Sequence, residues 1–431
     1  MRSVYIETYG CQMNLADTEL LFGHLGSHGY RRTDDPAGAD VILLNTCAIR
    51  ERAEERVVGR LGDLVRYKAH RPEVQLGVTG CMAQHLRDTL MTRLPFVDFI
   101  VGPDAYRRLP ELLGNGAGDP QVDVRLDRDE TYADLVPQRE RGVRAWLTIM
   151  RGCDKFCTFC VVPYVRGRER SLPAAAILAQ VRQLAADGFR EVVYLGQTVN
   201  AYRDGDVDFG ALLRQTNAIG GIERIRFTSP HPSDMTASVI AAMASCEKVC
   251  PQLHLPLQSG SDRVLARMER GYTAAAYLDL VERLRRAIPG IALTTDIIVG
   301  FPGEDEADFL ATCVLMRSVR YDSAFMFKYS ARSGTKAFKW PETVSEEEKS
   351  RRLQAIIALQ EEQSVAINHA LIGATTEVLV EGPARRHEGW LAGKTPQFKT
   401  AVFPANGASP GELASVRITE ATAHTLVCAA A

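Results

Sequence analysis

The chain has 431 residues, which is too long for one hydrophobic core of ordinary size and predicts two to four domains. Its formal net charge of −2 excludes a strongly basic surface, so any contact with nucleic acid must depend on local patches. No apolar run reaches membrane-spanning length and the first residues contain no apolar signal segment, so we expect a cytoplasmic protein without a membrane partner.

Residues 1–118 alternate short apolar runs with amphipathic stretches, which predicts a parallel sheet covered by helices. The predicted strands are VYIETYG, VILLNT, VQLGVTG and FVDFIVG. Cys11, Cys47 and Cys81 each follow directly after one of the first three strands. Because the carboxyl ends of parallel strands share one edge of a sheet, we expect the three thiols to form one metal site. The alternative is three unrelated loop cysteines.

Residues 119–140 are acidic and lack a clear period, which predicts a linker or an ordered crossover loop. Residues 141–368 contain six further apolar runs, AWLTIM, EVVYLG, RIRFTS, QLHLPL, IALTTDIIVG and SAFMFKYS. Helical patterns separate these runs, so the sequence predicts a partial, open (β/α)6 barrel of the TIM type. The polar residues at its strand ends, where barrel enzymes keep their sites, are Gln197, Asn200, Ser229, His231, Gln258, Ser259, Thr295 and Asp296.

Residues 369–431 change in character, because short strand-like runs are separated by Gly, Pro and Asn. This pattern predicts a small antiparallel β-barrel of OB-like design. The fold class is therefore α/β, with a parallel cluster-binding domain, an open barrel and a small C-terminal β-barrel.

The segment after the first barrel strand contains Cys153, Cys157 and Cys160 with C-x3-C-x2-C spacing. Thiolates hold iron–sulfur clusters, and three cysteines leave the fourth iron of a cubane open for a small chelating ligand. A closed zinc site needs a fourth ligand, and no other Cys or His lies within ten residues. The sequence therefore favours a cluster. The remaining cysteines, which we interpret as packing residues, are Cys246, Cys250, Cys313 and Cys428.

This cysteine segment, CDKFCTFCVVPY, resembles the cluster loop of radical S-adenosylmethionine enzymes. The resemblance implies that the open iron binds S-adenosylmethionine and that an electron from the cluster cleaves it to a 5′-deoxyadenosyl radical. It also implies that Phe159 packs near the adenine of the cofactor. The strand-end residues that we expect to complete the cofactor site are Gln197, Ser229, His231, Gln258, Thr295 and Asp296.

Further motifs, YIETYGCQMN, RGRERS, FTSPHP, HLPLQSGSDRVLARMERGYT and LTTDIIVGFPGE, resemble the methylthiotransferases of the MiaB type over nearly the whole chain. The resemblance implies that Cys11, Cys47 and Cys81 hold an auxiliary 4Fe-4S cluster and that the last segment is a TRAM domain. The implied reaction adds sulfur and a methyl group at C2 of N6-isopentenyladenosine 37 in tRNA. One S-adenosylmethionine supplies the methyl group and a second supplies the radical. The chain departs from the family pattern at Val165, Leu172 and Thr198.

The RNA partner that the resemblance implies is the anticodon stem-loop of tRNA. Basic residues are dense around the second triad, and the C-terminal domain has five Lys and Arg against five Asp and Glu. The residues that we expect to contact phosphates are Arg166, Arg168, Arg170, Arg385, Arg386, Lys394 and Lys399. A stacking platform for a base could come from Tyr164, Tyr194 or Tyr202, although each is more often a core residue.

We also expect a monomer and an electron donor such as a flavodoxin or a ferredoxin. Three alternatives to the main function stay open at this stage: action on N6-threonylcarbamoyladenosine in tRNA, action on an aspartate of a ribosomal protein, and a cluster-bearing RNA-binding or sulfur-carrier protein without radical turnover. His231 and His254 could act as bases, but we favour site-lining or structural roles, because radical hydrogen abstraction needs no strong base.

Overall fold

A six-stranded parallel sheet opens the computed structural model, which describes residues 1–48, 51–114 and 120–430. The sheet order is β2-β1-β3-β4-β5-β6. Its strands are β1 (Ser3–Tyr9), β2 (Arg31–Arg32), β3 (Val41–Thr46), β4 (Gln75–Gly80), β5 (Phe99–Val101) and β6 (Gln121–Asp123). Its helices are α1 (Gln12–Ser27), α2 (Glu51–His70), α3 (Cys81–Arg93) and α4 (Leu109–Gly114).

Strand β3 shows why the sheet is covered on both faces. Val41 and Leu43 pack into one hydrophobic cluster with residues of α1 and α4, whereas Ile42 and Leu44 pack into another with residues of α2 and α3. Successive side chains of a strand point to opposite faces, so an uninterrupted apolar run requires a helical layer on each side. The prediction of a parallel, helix-covered sheet is confirmed.

The segment predicted as a linker, residues 119–140, contains part of this domain. Strand β6 pairs in parallel with β5, and the buried Tyr132 donates its hydroxyl hydrogen to the carbonyl of Pro103 at 3.0 Å. The linker interpretation is wrong for this part, because a three-residue strand is too short to show a period. The predicted boundary between residues 118 and 119 lies outside the described residues, as does residue 431 at the end of the chain.

The middle of the chain forms a six-stranded open barrel from two parallel sheets. The first has the order β13-β10-β7 and the second β14-β15-β16, and a parallel bridge joins Ile225 to Val249 between them. The strands are β7 (Arg144–Thr148), β8 (Met150–Arg151), β9 (Arg170–Ser171), β10 (Glu191–Leu195), β11 (Arg203–Asp204), β12 (Val207–Asp208), β13 (Arg224–Phe227), β14 (Gln252–His254), β15 (Ala292–Val299) and β16 (Ser323–Lys328). Strands β8 and β9 form a short antiparallel pair, as do β11 and β12. The six predicted barrel strands are confirmed.

The helices of this part of the chain pack around the strands, and most of them share one continuous hydrophobic cluster with the strands. They are α5 (Val162–Arg166), α6 (Ala174–Ala186), α7 (Phe209–Asn217), α8 (Ala237–Ser245), α9 (Asp262–Arg267), α10 (Ala274–Ala287), α11 (Glu306–Val319) and α12 (Glu346–His369). Cys246, Cys250 and Cys313 are buried here, and Cys428 is buried in the C-terminal domain, as expected for packing residues. None of the described helices combines the length and apolar character needed to cross a bilayer.

The C-terminal domain is a closed five-stranded barrel with the order β17-β18-β19-β21-β20. Its strands are β17 (Thr375–Pro383), β18 (Trp390–Lys394), β19 (Thr400–Pro404), β20 (Leu413–Ala421) and β21 (Thr425–Ala430). Four of the pairings are antiparallel, and β19 pairs with β21 in parallel. The parallel pair arises because β21 returns between β19 and β20 to close the barrel.

Helix α1 fastens the N-terminal domain to the open barrel. Met13 and Ala16 pack against Val193 and Leu195 of β10. The C-terminal barrel is fastened mainly by polar contacts, since Arg226 donates to the carbonyls of Thr395 and Pro396 at 2.8 and 2.9 Å. These contacts leave the carboxyl end of the N-terminal sheet facing the carboxyl end of the barrel.

Candidate active site

One cavity of about 310 Å³ lies between the N-terminal sheet and the open barrel. All six cysteines of the two triads line it. The sequence predicted one site at the carboxyl edge of the N-terminal sheet and another at the mouth of the open barrel. The fold brings these two edges together. The two cysteine motifs, which are separate in sequence, are therefore parts of one site.

The first triad depends on tight backbone turns at the strand ends. Gly80 ends β4 with φ +92°, and a Cβ atom there would lie 2.5 Å from the carbonyl oxygen of Thr46. A Cβ atom at Gly10 would lie 2.7 Å from Cβ of Cys47. Only glycine allows both the left-handed turn and this close approach. The two glycines thus bring the ends of β1, β3 and β4 together.

Two buried asparagines hold the first triad in place. Asn14, in the first turn of α1, donates to the side-chain oxygen of Asn45 at 3.2 Å and to the carbonyl of Thr46 at 3.1 Å. Asn45 donates in return to the carbonyl of Asn14 at 2.8 Å. Asn45 is fully buried within β3, so its amide group acts through these hydrogen bonds.

The thiols of the first triad influence one another. A hydrogen bond with Cys47 lowers the pKa of Cys11 to about 6, against the effect of burial and with help from the positive charge of Arg166. Burial raises the pKa of Cys81, while the Arg166 guanidinium opposes that rise. Arg166 donates its Nε hydrogen to Sγ of Cys81 at 3.1 Å. The surroundings of the triad therefore favour the thiolate of Cys11 and place a cation beside Cys81.

The second triad lies in one loop that is anchored at several points. Gly152 has φ +78°, and a Cβ atom there would collide with the carbonyl of Arg168. Thr158 donates its hydroxyl hydrogen to the carbonyl of Arg267 at 2.8 Å, and its carbonyl accepts from the amide of Ala337 at 2.8 Å. The loop is therefore held on both sides by the barrel.

The thiols of the second triad also have polar partners. Arg270 donates to Sγ of Cys157 at 3.2 Å, and Thr198 lies 3.2 Å from Sγ of Cys153 through its hydroxyl. Burial raises the pKa of Cys160 to about 12, so a metal that binds this thiol must displace its proton. Each triad thus has one arginine with an N–H directed at a cysteine sulfur. Such hydrogen bonds are a lever on the potential of iron–sulfur clusters.

The donor set fits clusters better than single ions. Among residues 1–48, 51–114 and 120–430, no three His, Cys, Asp or Glu side chains are close enough to share one metal ion. Each triad offers three thiols with an arginine donor beside them, which is the number of protein ligands that a cubane cluster with one open iron takes.

Most of the expected cofactor residues line the cavity. They are Phe159, Gln197, Ser229, His231, Gln258 and Asp296. Ser229 and Gln258 have φ values of +59° and +70°, which are rare for residues other than glycine. Phe159 packs edge-on against Phe301 with ring centroids 6.3 Å apart. This side of the cavity combines an aromatic wall with several polar groups, as a site for a nucleoside-like cofactor requires.

His231 presents a buried donor to this side of the cavity. Its Nδ1 accepts from the amide of Ser233 at 3.3 Å, so its Nε2 carries the hydrogen. That Nε2 is buried and has no partner among the described residues. Burial, together with the charges of Arg270 and Lys155, lowers the pKa of His231 to about 2, so the ring stays neutral. A cofactor with a hydrogen-bond acceptor would satisfy this orphaned donor.

Thr295 is the exception among the expected cofactor residues. Its side chain is fully buried, donates to the carbonyl of Leu255 at 2.9 Å and accepts from the amide of Leu257 at 2.9 Å. Thr295 and Asp296 are neighbours in β15, and neighbours in a strand point to opposite faces. Asp296 faces the cavity and lies 3.3 Å from Nε2 of His254, so Thr295 holds strands together instead.

Four of the residues expected to contact RNA phosphates have internal partners. Arg166 and Arg170 are buried, and Arg170 forms a two-point ion pair with Asp104 at 2.8 and 3.0 Å. Lys399 binds Asp322 at 2.6 Å and Lys394 donates to the hydroxyl of Thr400 at 2.7 Å. The prediction is wrong for Arg166 and Arg170, because a buried ion pair cannot reach a phosphate.

The other basic candidates are exposed. Arg385 and Arg386 lie in the loop between β17 and β18, and Arg168 pairs with Asp154 at 2.7 Å near the mouth of the cavity. Among the tyrosines, Tyr194 and Tyr202 are core residues, whereas Tyr164 is 45% exposed. The exposed basic surface is therefore smaller than the sequence suggested, since much of the local excess of arginine is used in ion pairs.

Three family models match consecutive parts of the chain. Residues 3–102 match the uncharacterized protein family UPF0004, residues 147–316 match the radical SAM superfamily, and residues 369–427 match the TRAM domain. The order agrees with the three domains of the structure. The radical SAM match implies a 4Fe-4S cluster and S-adenosylmethionine, and the matched residues include the second triad.

Full-length relatives narrow the family further. The chain is 45% identical over 429 residues to a tRNA-2-methylthio-N(6)-dimethylallyladenosine synthase of Chlorobium luteolum, covering 99% of this chain and 96% of that protein. It is 46% identical to proteins of the same name from Carboxydothermus hydrogenoformans, with 97% of each chain covered, and Cereibacter sphaeroides, with 99% and 98% covered.

The chain belongs to the tRNA-2-methylthio-N(6)-dimethylallyladenosine synthase family. The resemblance drawn from the sequence motifs is thereby confirmed.

Solved structures support the fold of this family member. The radical S-adenosylmethionine methyltransferase TsrM from Kitasatospora setae matches with a TM-score of 0.59 and 15% identity, covering 78% of this chain and 74% of that chain. The cobalamin-dependent radical enzyme OxsB matches with a TM-score of 0.54 and 14% identity, covering 84% of this chain and 56% of that chain. At such low identity these likenesses concern the arrangement of the domains alone.

The structure of this synthase family member also reveals site residues that sequence reasoning missed. These residues are Arg270, Lys155 and Pro256, which line the cavity. Asn200, which the sequence placed among the polar strand-end residues, fixes His231 by accepting from its amide and donating to its carbonyl at 2.8 and 2.9 Å. Arg270 belongs to the motif HLPLQSGSDRVLARMERGYT, and its place in this family-like motif was the only sequence signal for a role at the site. Its contact with Cys157 spans more than one hundred residues and leaves no local pattern.

Proposed function

We propose that this protein converts N6-isopentenyladenosine at position 37 of tRNA to its 2-methylthio derivative. The observation that carries the proposal is the shared cavity, in which two cysteine triads face one another beside a polar pocket. A sulfur-inserting reaction needs a radical source and a sulfur source in reach of the same base. The names of the full-length relatives support this substrate.

The proposal assigns one cofactor set to each side of the cavity. Cys153, Cys157 and Cys160 would hold the 4Fe-4S cluster that binds S-adenosylmethionine, and Cys11, Cys47 and Cys81 would hold an auxiliary 4Fe-4S cluster. When bound, these groups supply the radical that removes hydrogen from C2 of the adenine, the sulfur, and the methyl group. The protein's own task is to position the groups and to exclude water.

Several residues of this chain would orient S-adenosylmethionine. His231 offers a neutral N–H donor, and Asp296 is held by His254 at 3.3 Å, which leaves its second oxygen for the cofactor. Gln197 accepts from the amide of Gly152 at 2.6 Å and so ties the cluster loop to the next strand end. Phe159 would form the wall against the adenine. None of these residues needs to transfer a proton in the radical step.

The exposed residues Arg385 and Arg386 of the C-terminal barrel, and Arg168 at the cavity mouth, are the proposed phosphate contacts. The barrel is balanced in charge, so we propose that it positions the anticodon stem-loop through these few residues. A flavodoxin or ferredoxin would supply electrons. The expectation of a monomer stays a prediction.

Nucleoside mass spectrometry of tRNA tests the proposed substrate. Cells that lack the protein should accumulate isopentenyladenosine and lose its 2-methylthio form, and the intact gene should restore it. A catalytically inactive copy with Cys157→Ala is the matched control. Loss of a methylthio-threonylcarbamoyl nucleoside instead, or of a modified ribosomal aspartate, would contradict the assignment and move the protein to a sister activity.

A further inference from the structure

Arg166 belongs to the open barrel but reaches into the triad of the N-terminal domain. It ends helix α5, six residues after Cys160, and its side chain is 4% exposed. Its Nε donates to Sγ of Cys81 at 3.1 Å and its Nη2 donates to Asp17 at 2.8 Å. A residue of the radical domain is therefore in direct contact with a cysteine of the other domain.

The third side-chain nitrogen of Arg166, Nη1, lacks a hydrogen-bond partner in the part of the chain that the structure describes. Nη1 is buried without a hydrogen-bond acceptor among the described residues, and Arg166 lines the cavity between the triads. A buried guanidinium N–H is costly to leave unpaired. The position calls for an acceptor at the first triad, and sulfur atoms are the acceptors that an iron–sulfur cluster would bring there.

The charge around Arg166 supports the same conclusion. Asp17 is fully buried and binds Arg166 through one carboxylate oxygen and Arg151 through the other, each at 2.8 Å. Two guanidinium groups share this carboxylate, so Asp17 alone does not balance the charge of Arg166 and Arg151 beside Cys81. Buried charges in proteins are normally paired. Thiolates bound to a cluster would provide the missing negative charge.

We propose that Arg166 is a positioning residue of the auxiliary cluster. It holds the Cys81 thiolate through Nε and donates Nη1–H to a sulfur atom of the cluster or to the sulfur that the cluster carries. The auxiliary site is therefore composite: three thiolates come from the N-terminal sheet, and the cation comes from the barrel. This inference rests on the auxiliary cluster of the proposed function and replaces the phosphate contact that the sequence suggested for Arg166.

Redox titration of the auxiliary cluster alone tests the proposal. The background is the full chain with Cys153, Cys157 and Cys160 changed to Ala, reconstituted with iron and sulfide and followed by electron paramagnetic resonance. Arg166→Gln should lower the reduction potential, because the reduced cluster loses a positive charge and an N–H···S hydrogen bond. Arg166→Lys keeps the charge and should give a smaller shift. Arg182→Gln, which removes an exposed guanidinium of α6, should leave the potential unchanged.

The outcomes separate this inference from the proposed function. An unchanged potential in both Arg166 variants with iron retained would overturn the role of Arg166 and leave the auxiliary cluster standing. A background variant that binds no iron at all would overturn both. In the chain with all six cysteines, Arg166→Gln should bind tRNA with unaltered affinity. A large loss of tRNA affinity with an unaltered potential would return Arg166 to RNA binding.

Discussion

Cys11, Cys47 and Cys81 come from the ends of three separate strands, whereas Cys153, Cys157 and Cys160 belong to one loop. Both triads line the same cavity, and each has one arginine donor, Arg166 or Arg270. The loop triad is defined by local spacing and is anchored to the barrel around it. The strand-end triad exists only when the sheet, its glycines and its asparagines are all in place. We therefore expect the two sites to respond differently to mutation.

The largest expected effect separates the chemistry of the two triads. Cys157→Ala should abolish formation of 5′-deoxyadenosine from S-adenosylmethionine by the reduced protein, because the cofactor-binding cluster loses a ligand. Cys313→Ala, at a buried packing position, should retain cleavage and cost about 1 kcal/mol in the free energy of unfolding. Both activities are measured by liquid chromatography of the products. Cleavage at the wild-type rate by Cys157→Ala would refute the assignment of the loop triad.

Cys47→Ala tests the strand-end triad in the same way. This variant should still cleave S-adenosylmethionine but should produce no 2-methylthio nucleoside, because the auxiliary sulfur source is lost. Both products are quantified in the same reaction with unmodified isopentenyl-tRNA. Full methylthiolation by Cys47→Ala would show that the first triad has no role in sulfur insertion.

A matched pair of glycine variants tests the backbone of each site. Gly80→Ala should disturb the first triad and Gly152→Ala the second, because each position has positive φ and no room for a methyl group. The backbone strain costs on the order of 1–3 kcal/mol in each case, before the clash is counted. Electron paramagnetic resonance of the two reconstituted variants should show the loss of one cluster signal each, and a different one. Loss of the same signal in both would contradict two independent sites.

Asn14→Ala tests whether the strand-end triad depends on its polar support. The change leaves Asn45 and the carbonyl of Thr46 without a donor, which costs roughly 1–3 kcal/mol in the free energy of unfolding. Iron at the first triad should fall while cleavage of S-adenosylmethionine persists. Thr216→Val, which removes a buried hydroxyl in the barrel, serves as a control of similar burial. Equal loss of auxiliary iron in both variants would mean that general destabilisation explains the effect.

The smallest expected effect concerns Glu19, a partly buried carboxyl group of α1, the helix that also contains Asn14. Burial raises the pKa of Glu19 to about 7, although Arg139 at 3.2 Å opposes the shift. A raised carboxyl pKa favours folding below the ordinary value of 4.5, and this stabilisation is lost as pH rises through about 7. Glu19→Gln should therefore flatten the pH dependence of stability by about 1 kcal/mol after solvent screening. Thermal unfolding of both proteins between pH 5 and pH 8 measures this change. A pH dependence of stability that is the same in wild type and Glu19→Gln would contradict the raised pKa of Glu19.

The sequence alone predicted much of this comparison, and its failures have physical causes. The strand patterns and the C-x3-C-x2-C spacing are local signals. They predicted the six barrel strands and placed the six cysteines at the carboxyl ends of strands. The contacts of Arg166 with Cys81 and Asp17 span 85 and 149 residues and leave no periodic trace. Local charge density therefore suggested RNA binding where the fold forms internal ion pairs. Thr295 and Asp296 both lie near the end of β15, but alternation along the strand puts Asp296 at the cavity and Thr295 away from it.

Iron analysis of three proteins tests the central claim that the two triads hold two separate clusters at one cavity. The reconstituted wild-type chain should contain about eight iron atoms, and Cys47→Ala and Cys157→Ala prepared in parallel should each approach about four. The reduced wild-type protein should show two cluster signals, of which each variant retains a different one. About four iron atoms in the wild-type chain, with no further loss in Cys47→Ala, would contradict the account.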